Sequence, residues 1–210
     1  MDINHHNVGE MLLESSARVK DTVADCLNLY KRIKWETVSF IIPTNPEPSH
    51  RPRLSGYRVY VPGAAKHQSY FNKYVLPKLN GLFIYTPCKI KIDIFVQTPK
   101  SFSTTQKILA EMKILRPWGN IGDVDNFEKA LLDQLQPNEK RGHRGIMAND
   151  SLVIESHTNK YYSMTPRYEV TIEFMNKIPD VLFKILKMKD DYDLPSDVRP
   201  RHKIKIKNKE

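Results

Sequence analysis

The stretch Cys88–Gln97 constrains the fold more than any other. Cys88, Ile90, Ile92, Ile94 and Val96 alternate with Lys89, Lys91, Asp93 and Gln97, the two-residue period of a strand with one face buried. Only Phe95 breaks the polar side. Arg167–Met175 repeats the pattern, with Tyr168, Val170, Ile172 and Phe174 set against Arg167, Glu169, Thr171 and Glu173. Further strands are expected over 35–43 and 151–162, the second joined to Arg167–Met175 as a hairpin near Met164-Thr165-Pro166. A proline-rich turn follows the first strand. With a short strand over 58–61, after Ser55-Gly56, it suggests a β-arm around residues 38–62.

Helical periodicity separates these strands. Residues 9–34 place Leu12, Val19, Val23, Cys26, Tyr30 and Ile33 at spacings of three, four and seven, an amphipathic helix suited to packing on the core or on a second subunit. Residues 65–79 read as a helix with Tyr70, Tyr74 and Leu79 inward and Lys66, Lys73 and Lys78 in solvent. Residues 104–113 read as a short polar helix, and 136–149 as a turn-rich, basic, flexible connection. After Pro179 a short apolar helix gives way to an acidic patch and a basic tail. The expected architecture is α+β: a small mixed or antiparallel sheet with helices packed on it. The central domain spans 35–178, between a helical extension (1–34) and a C-terminal helix with a basic tail (179–210).

Composition narrows the function. No run of about eighteen apolar residues codes a membrane helix, and the N-terminus lacks the basic-then-apolar order of a secretion signal. Cys26 and Cys88 are the two cysteines and form no CxxC. They suit a reducing compartment better than a zinc site or a disulfide framework, and a cytoplasmic protein is expected. The net charge of +9 suits a polyanionic partner, most simply nucleic acid, although ordinary soluble proteins carry such charge too.

The chemistry concentrates in GDVDNFEKALLDQL, residues 122–135. Read as a helix from Asp125, it puts Phe127, Ala130, Leu131 and Leu135 on one buried face and Asp125, Lys129 and Asp133 on another. In the plain reading Asp125 is an N-cap in a capping box with Glu128, and Asp125–Lys129 is a surface helix pair. The other reading is a metal site. Asp123 and Asp125 open the helix, and Asp150 stands just before the strand SLVIES. Magnesium takes few carboxylates and completes its shell with water and substrate phosphate. Against this, Asn149-Asp150 also reads as an ordinary turn. Spacing alone leaves both open.

The order of motifs resembles the RusA family of Holliday junction resolvases. The resemblance rests on RPRLSGYRVYVP (51–62), KSFS (100–103), D-x-D-N-x-x-K-x-x-x-D (123–133), NDSLV (149–153) and Lys160, and covers roughly residues 36–176. It implies an α+β homodimeric endodeoxyribonuclease that binds four-way DNA junctions and nicks two strands symmetrically. It implies Mg²⁺ on Asp123, Asp125 and Asp150, with Mn²⁺ able to substitute, and an essential lysine at Lys129. Asn126 and Asp133 match recurrent positions of structural character. Arg51, Arg53, Lys100, Arg116 and Lys160 are candidates for DNA-backbone contact, each also readable as solvated surface charge. Where family members often have two acidic residues, this chain has Asn149-Asp150, and its connection from Asp133 to Asp150 is longer and more basic. Two rival readings stand beside the resolvase: a broader branched-DNA or flap nuclease of phage replication, and a junction-binding protein that has lost cleavage.

Overall fold

The computed structural model describes residues 5–49, 53–55, 58–60, 64–119, 121–138 and 142–176. Arg51 and the expected C-terminal helix and tail (179–210) lie outside the described residues. In chain order the elements are α1 (His5–Glu14), α2 (Ala17–Tyr30), β1 (Trp35–Ile42), β2 (Arg53–Ser55), β3 (Arg58–Tyr60), α3 (Ala64–Tyr74), β4 (Cys88–Gln97), α4 (Thr104–Glu111), α5 (Val124–Leu135), β5 (Val153–Ser163) and β6 (Arg167–Met175). The fold is α+β. β1, β6, β4 and β5 form a four-stranded mixed sheet in that order, and β2 and β3 pair separately as the expected β-arm.

Strand alternation predicts the buried face correctly. Ile90, Ile92, Ile94 and Val96 of β4 and Tyr168, Val170 and Ile172 of β6 all point into one core. Phe71 of α3, Val75 just past its end, Ala110 of α4, and Phe127, Leu131 and Leu135 of α5 cover that face. Each large apolar side chain so buried contributes about 1.5–3 kcal/mol, so the three on α5 fix that helix to the sheet. Ser103, the last residue of KSFS, caps α4 in a capping box with Gln106 and sets the direction in which the chain leaves β4.

The neighbours in the sheet differ from expectation. β5 and β6 form no hairpin, because β4 lies between them, antiparallel to β6 and parallel to β5. Residues 164–166 carry the chain from β5 to β6 past the end of β4. Parallel strands need a long crossover, and the segment holding α4 and α5 supplies it between β4 and β5.

Three helical or loop expectations also change. The N-terminal segment is two helices, broken at Ser15-Ser16, and α2 buries no residue against the core. α3 is turned relative to its expected face, since Phe71 and Val75 are buried while Tyr74 is exposed and Tyr70 half-buried. Tyrosines tolerate the margin because each has a wet end, and here Tyr70 and Tyr74 lie ring to ring at 5.5 Å. The 136–149 connection, expected to be flexible, packs in its second half. His143, Ile146 and Met147 are buried there. The amides of Ile146 and Met147 both donate to the Leu135 carbonyl, and Ile84 exchanges backbone hydrogen bonds with Ile146 and Ala148. Gly145 makes this approach possible: at φ +63°, a Cβ there would stand 2.5 Å from the Gln136 carbonyl carbon.

Candidate active site

The site grows from the turn that starts α5. Gly122 adopts φ +102°, open to glycine and strained for other residues. A Cβ there would meet Pro48 at 3.1 Å and Phe127 at 3.2 Å. The helix consequently begins earlier than the capping-box reading expects. Asp123, not Asp125, is the N-cap, and Asp125 falls in the first turn. Glu128 takes no part in a capping box. It reaches across to β5, where it accepts hydrogen bonds from Ser156 Oγ (2.5 Å) and Thr158 Oγ1 (2.8 Å).

Two more contacts fix the helix start. Lys160 of β5 donates from Nζ to the Gly122 carbonyl at 2.5 Å, with its ammonium 5.8 Å from the centre of the Phe127 ring. The Ser49 amide donates to the Asn126 carbonyl at 2.8 Å, so the chain leading into the β2–β3 arm departs from the first turn of α5. α5 therefore runs antiparallel to β5, with Gly122 facing Lys160 and Glu128 facing Ser156 and Thr158.

The side chains predicted for the site fall along this pair of elements. Asp123, Asp125 and Lys129 are exposed. Asp123 makes no capping hydrogen bond, and neither Asp123 nor Asp125 has a partner among the described residues. Asp150 opens a 3₁₀ turn (Asp150–Leu152) before β5, and this turn is capped by Asn149 Oδ1 accepting from the Ser151 amide at 2.8 Å. Asp133 lies within electrostatic reach of both Lys129 and Asp150. Its carboxyl is pushed above its ordinary pKa, first by burial and then by Asp150, with Lys129 opposing. The acidic residues thus occupy two stations along one helix: Asp123 and Asp125 at its head, and Asp150 beside Asp133 further along, with Lys129 between.

Among the described residues no three His, Cys, Asp or Glu side chains stand close enough to hold an ion together. The donor chemistry nevertheless fits magnesium. Asp123 and Asp125 present exposed, unengaged oxygen donors two residues apart, and such an ion is commonly held by one or two carboxylates with substrate phosphate and water completing its shell.

The expected DNA-contacting cations scatter. Arg53 belongs to β2, Lys100 is exposed in the turn after β4, and Arg116 is exposed in the segment between α4 and α5. Lys160 is half-buried and committed to the Gly122 carbonyl. Its part in holding the helix start was not readable from sequence, and neither was that of Glu128. The available signals were the Gly122–Asp123 dipeptide, which needs an anchor, and the Ser156/Thr158 pair on one face of a strand.

An acid-headed helix laid on the edge strand of a mixed sheet, in a strongly basic chain, suits an enzyme of nucleic-acid phosphodiesters. Comparison with known proteins agrees. The family described as Endodeoxyribonuclease RusA matches residues 43–173, more than half of the chain, and the chain belongs to that family: it is an endodeoxyribonuclease of the Holliday junction resolvase type, acting on branched DNA. It is also 30% identical over 145 residues to the uncharacterized protein YqaN of Bacillus subtilis (strain 168), covering 65% of this chain and 96% of that protein. No described helix is long and apolar enough to cross a membrane.

Proposed function

We propose that this chain resolves four-way DNA junctions as a Mg²⁺-dependent homodimer, placing paired symmetric nicks in two strands. The observation that carries the reading is the head of α5, where Asp123 and Asp125 stand exposed, without a partner among the described residues, on a helix start clamped by Gly122, Pro48 and Lys160. A surface that only bound DNA would gain nothing from unpaired acids facing a polyanion.

Asp123 and Asp125 at the head of α5, and Asp150 at the second acidic station, would hold one or two Mg²⁺ ions, which when bound supply the Lewis-acid charge for phosphodiester hydrolysis. Lys129, one helical turn beyond Asp125, offsets charge developing on the phosphate oxygens and opposes the upward push of burial on the pKa of neighbouring Asp133. Glu128 and Lys160 orient: they hold α5 against β5 so that both acidic stations face the same strand of DNA. Arg51, Arg53, Lys100 and Arg116 contact the backbone and give affinity without sequence preference. A two-fold dimer suits a two-fold substrate, since each site then meets an equivalent strand. The products are a 5′-phosphate and a 3′-hydroxyl.

The test is cleavage of a labelled mobile four-way junction in Mg²⁺, beside a linear duplex and a flap, with Asp123→Asn as control. Paired symmetric nicks in the junction, lost in Asp123→Asn while binding persists in EDTA, support the reading. Equal cutting of flaps replaces it with a broader branched-DNA nuclease. Binding without cleavage in Mg²⁺ or Mn²⁺ refutes it in favour of a binding module.

A further inference from the structure

Phe95, the residue that interrupts the polar side of β4, is the centre of a cluster on the sheet face opposite the core. Its ring stacks on Tyr161 of β5, centroids 5.4 Å apart. Both are nearly sealed from water, at 4% and 8% exposure. Three cations seal them. The Arg167 guanidinium lies 3.8 Å from the Phe95 centroid, Lys113 Nζ 4.6 Å from that of Tyr161, and the Arg116 guanidinium 4.9 Å from that of Tyr161.

These cations are not equivalent. Arg167 is paired with Glu169 at 2.7 Å and also donates to the Thr165 carbonyl, so its charge is locally offset. Lys113 and Arg116 are exposed, and neither meets a carboxylate among the described residues. Lys113 sits at φ +60° just past the end of α4, a position where glycine is usual. The strained backbone turns the lysine back over the rings. Two residues beyond Arg116, Trp118 stands 83% exposed, in a loop that ends at Gly122 and Asp123. Tyr161 and Lys160 are consecutive residues of edge strand β5, so the cluster and the clamp on the α5 start lie on opposite faces of one strand.

We propose that Lys113 and Arg116, held over the Phe95–Tyr161 stack, grip the phosphates of a DNA arm, and that Trp118 stacks on a base left unpaired or unstacked at the branch. The proposal deepens the resolvase reading and rests on it. Unpaired cations pre-set on rings lose little freedom when they meet phosphate. An exposed indole beside them offers the face on which a splayed base stacks. A linear duplex presents phosphates but no free base face, so the two halves of the surface read different features: charge gives affinity for any DNA, and the indole gives preference for a branch.

The chain has two tryptophans, Trp35 and Trp118, so Trp35→Phe makes its fluorescence report on Trp118 alone. In EDTA, that variant should quench on binding a four-way junction and change little with a linear duplex. Trp118→Ala should weaken junction binding roughly ten-fold, within the range for loss of one stacked base, and leave duplex binding within about two-fold. The double variant Lys113→Gln/Arg116→Gln should lower the slope of log affinity against log salt by roughly 1.8 on either DNA, about 0.9 per lost phosphate contact. A wild type that cuts junctions while these variants bind them with unchanged affinity and slope would overturn the platform alone. A wild type that binds no branched DNA would overturn both this surface and the resolvase reading.

Discussion

Lys160→Met separates two roles that sequence alone leaves open for this lysine, phosphate contact and internal support. The substitution keeps the apolar stem and deletes the ammonium. A hydrogen bond from a charged donor contributes about 1.5–3 kcal/mol, and the half-burial of Lys160 places its bond to the Gly122 carbonyl near the lower end. The Phe127 ring, at 5.8 Å, is close to the outer limit of a useful cation–π contact and adds at most roughly 0.5 kcal/mol. The sum is about 2 kcal/mol. At roughly 2–4 °C per kcal/mol for a domain of this size, the Tm falls by about 4–8 °C, measured by scanning calorimetry. Because Asp123 directly follows Gly122, junction cleavage in Mg²⁺ falls as well. Binding in EDTA keeps its salt dependence, since the ammonium is already engaged within the protein. An unchanged Tm together with a salt slope lowered by about 0.9 would refute this reasoning and return Lys160 to the DNA surface.

Two further outcomes follow from the packed connection beyond α5. Gly145→Ala forces a Cβ to within 2.6 Å of the Leu135 carbonyl oxygen and the Pro137 nitrogen, backbone atoms that cannot rotate away. A loss of roughly 3 kcal/mol in urea unfolding is expected, and a loss under about 1 kcal/mol would contradict the observed approach. Burial lowers the pKa of His143 below its ordinary 6.5, against a smaller opposing effect of its hydrogen bond to the Gln134 carbonyl. The unfolded chain therefore binds the proton more readily than the folded one. The stability that His143 contributes is full above about pH 6.5 and is lost as the pH falls toward its folded pKa. Unfolding free energies of wild type and His143→Gln, compared from pH 7.5 to 5, should converge on acidification. Parallel curves would exclude this histidine as the source.

Period and composition reveal faces better than neighbours. The alternation of β4 and β6 names their core residues because each side chain answers only to its own strand. Which strand lies beside which is decided elsewhere. Three residues between β5 and β6 look like a hairpin turn in sequence, and only the parallel pairing of β5 with β4 makes them a bridge past β4. In α3 and the residue that follows it, two rows one residue apart, Tyr70/Tyr74 and Phe71/Val75, both satisfy helical spacing. The purely apolar row goes inward, since burying a tyrosine hydroxyl requires a partner. At the site, the acidic residues of α5 and the apolar face beneath them were apparent from spacing. The N-cap lies two residues earlier than the spacing suggests, because a positive φ at Gly122 leaves no mark beyond the glycine itself. Phe95 was visible only as an interruption, and its partners Lys113, Arg116 and Arg167 come from two other segments that no local pattern joins.

The pairing of β1 with β6 ties residues 35–42 to residues 168–175. The first two strands of the main sheet, β1 and β4, never touch, and both take β6 as a neighbour. Contacts so distant along the chain form late, because a long loop must close before they are made. During synthesis β1 and one edge of β4 wait without a partner until β6 leaves the ribosome. A chain interrupted before Arg167 carries every acidic residue of the site but lacks the strand that joins its sheet. An enzyme that cuts DNA thus acquires its working shape only once translation has passed through β6.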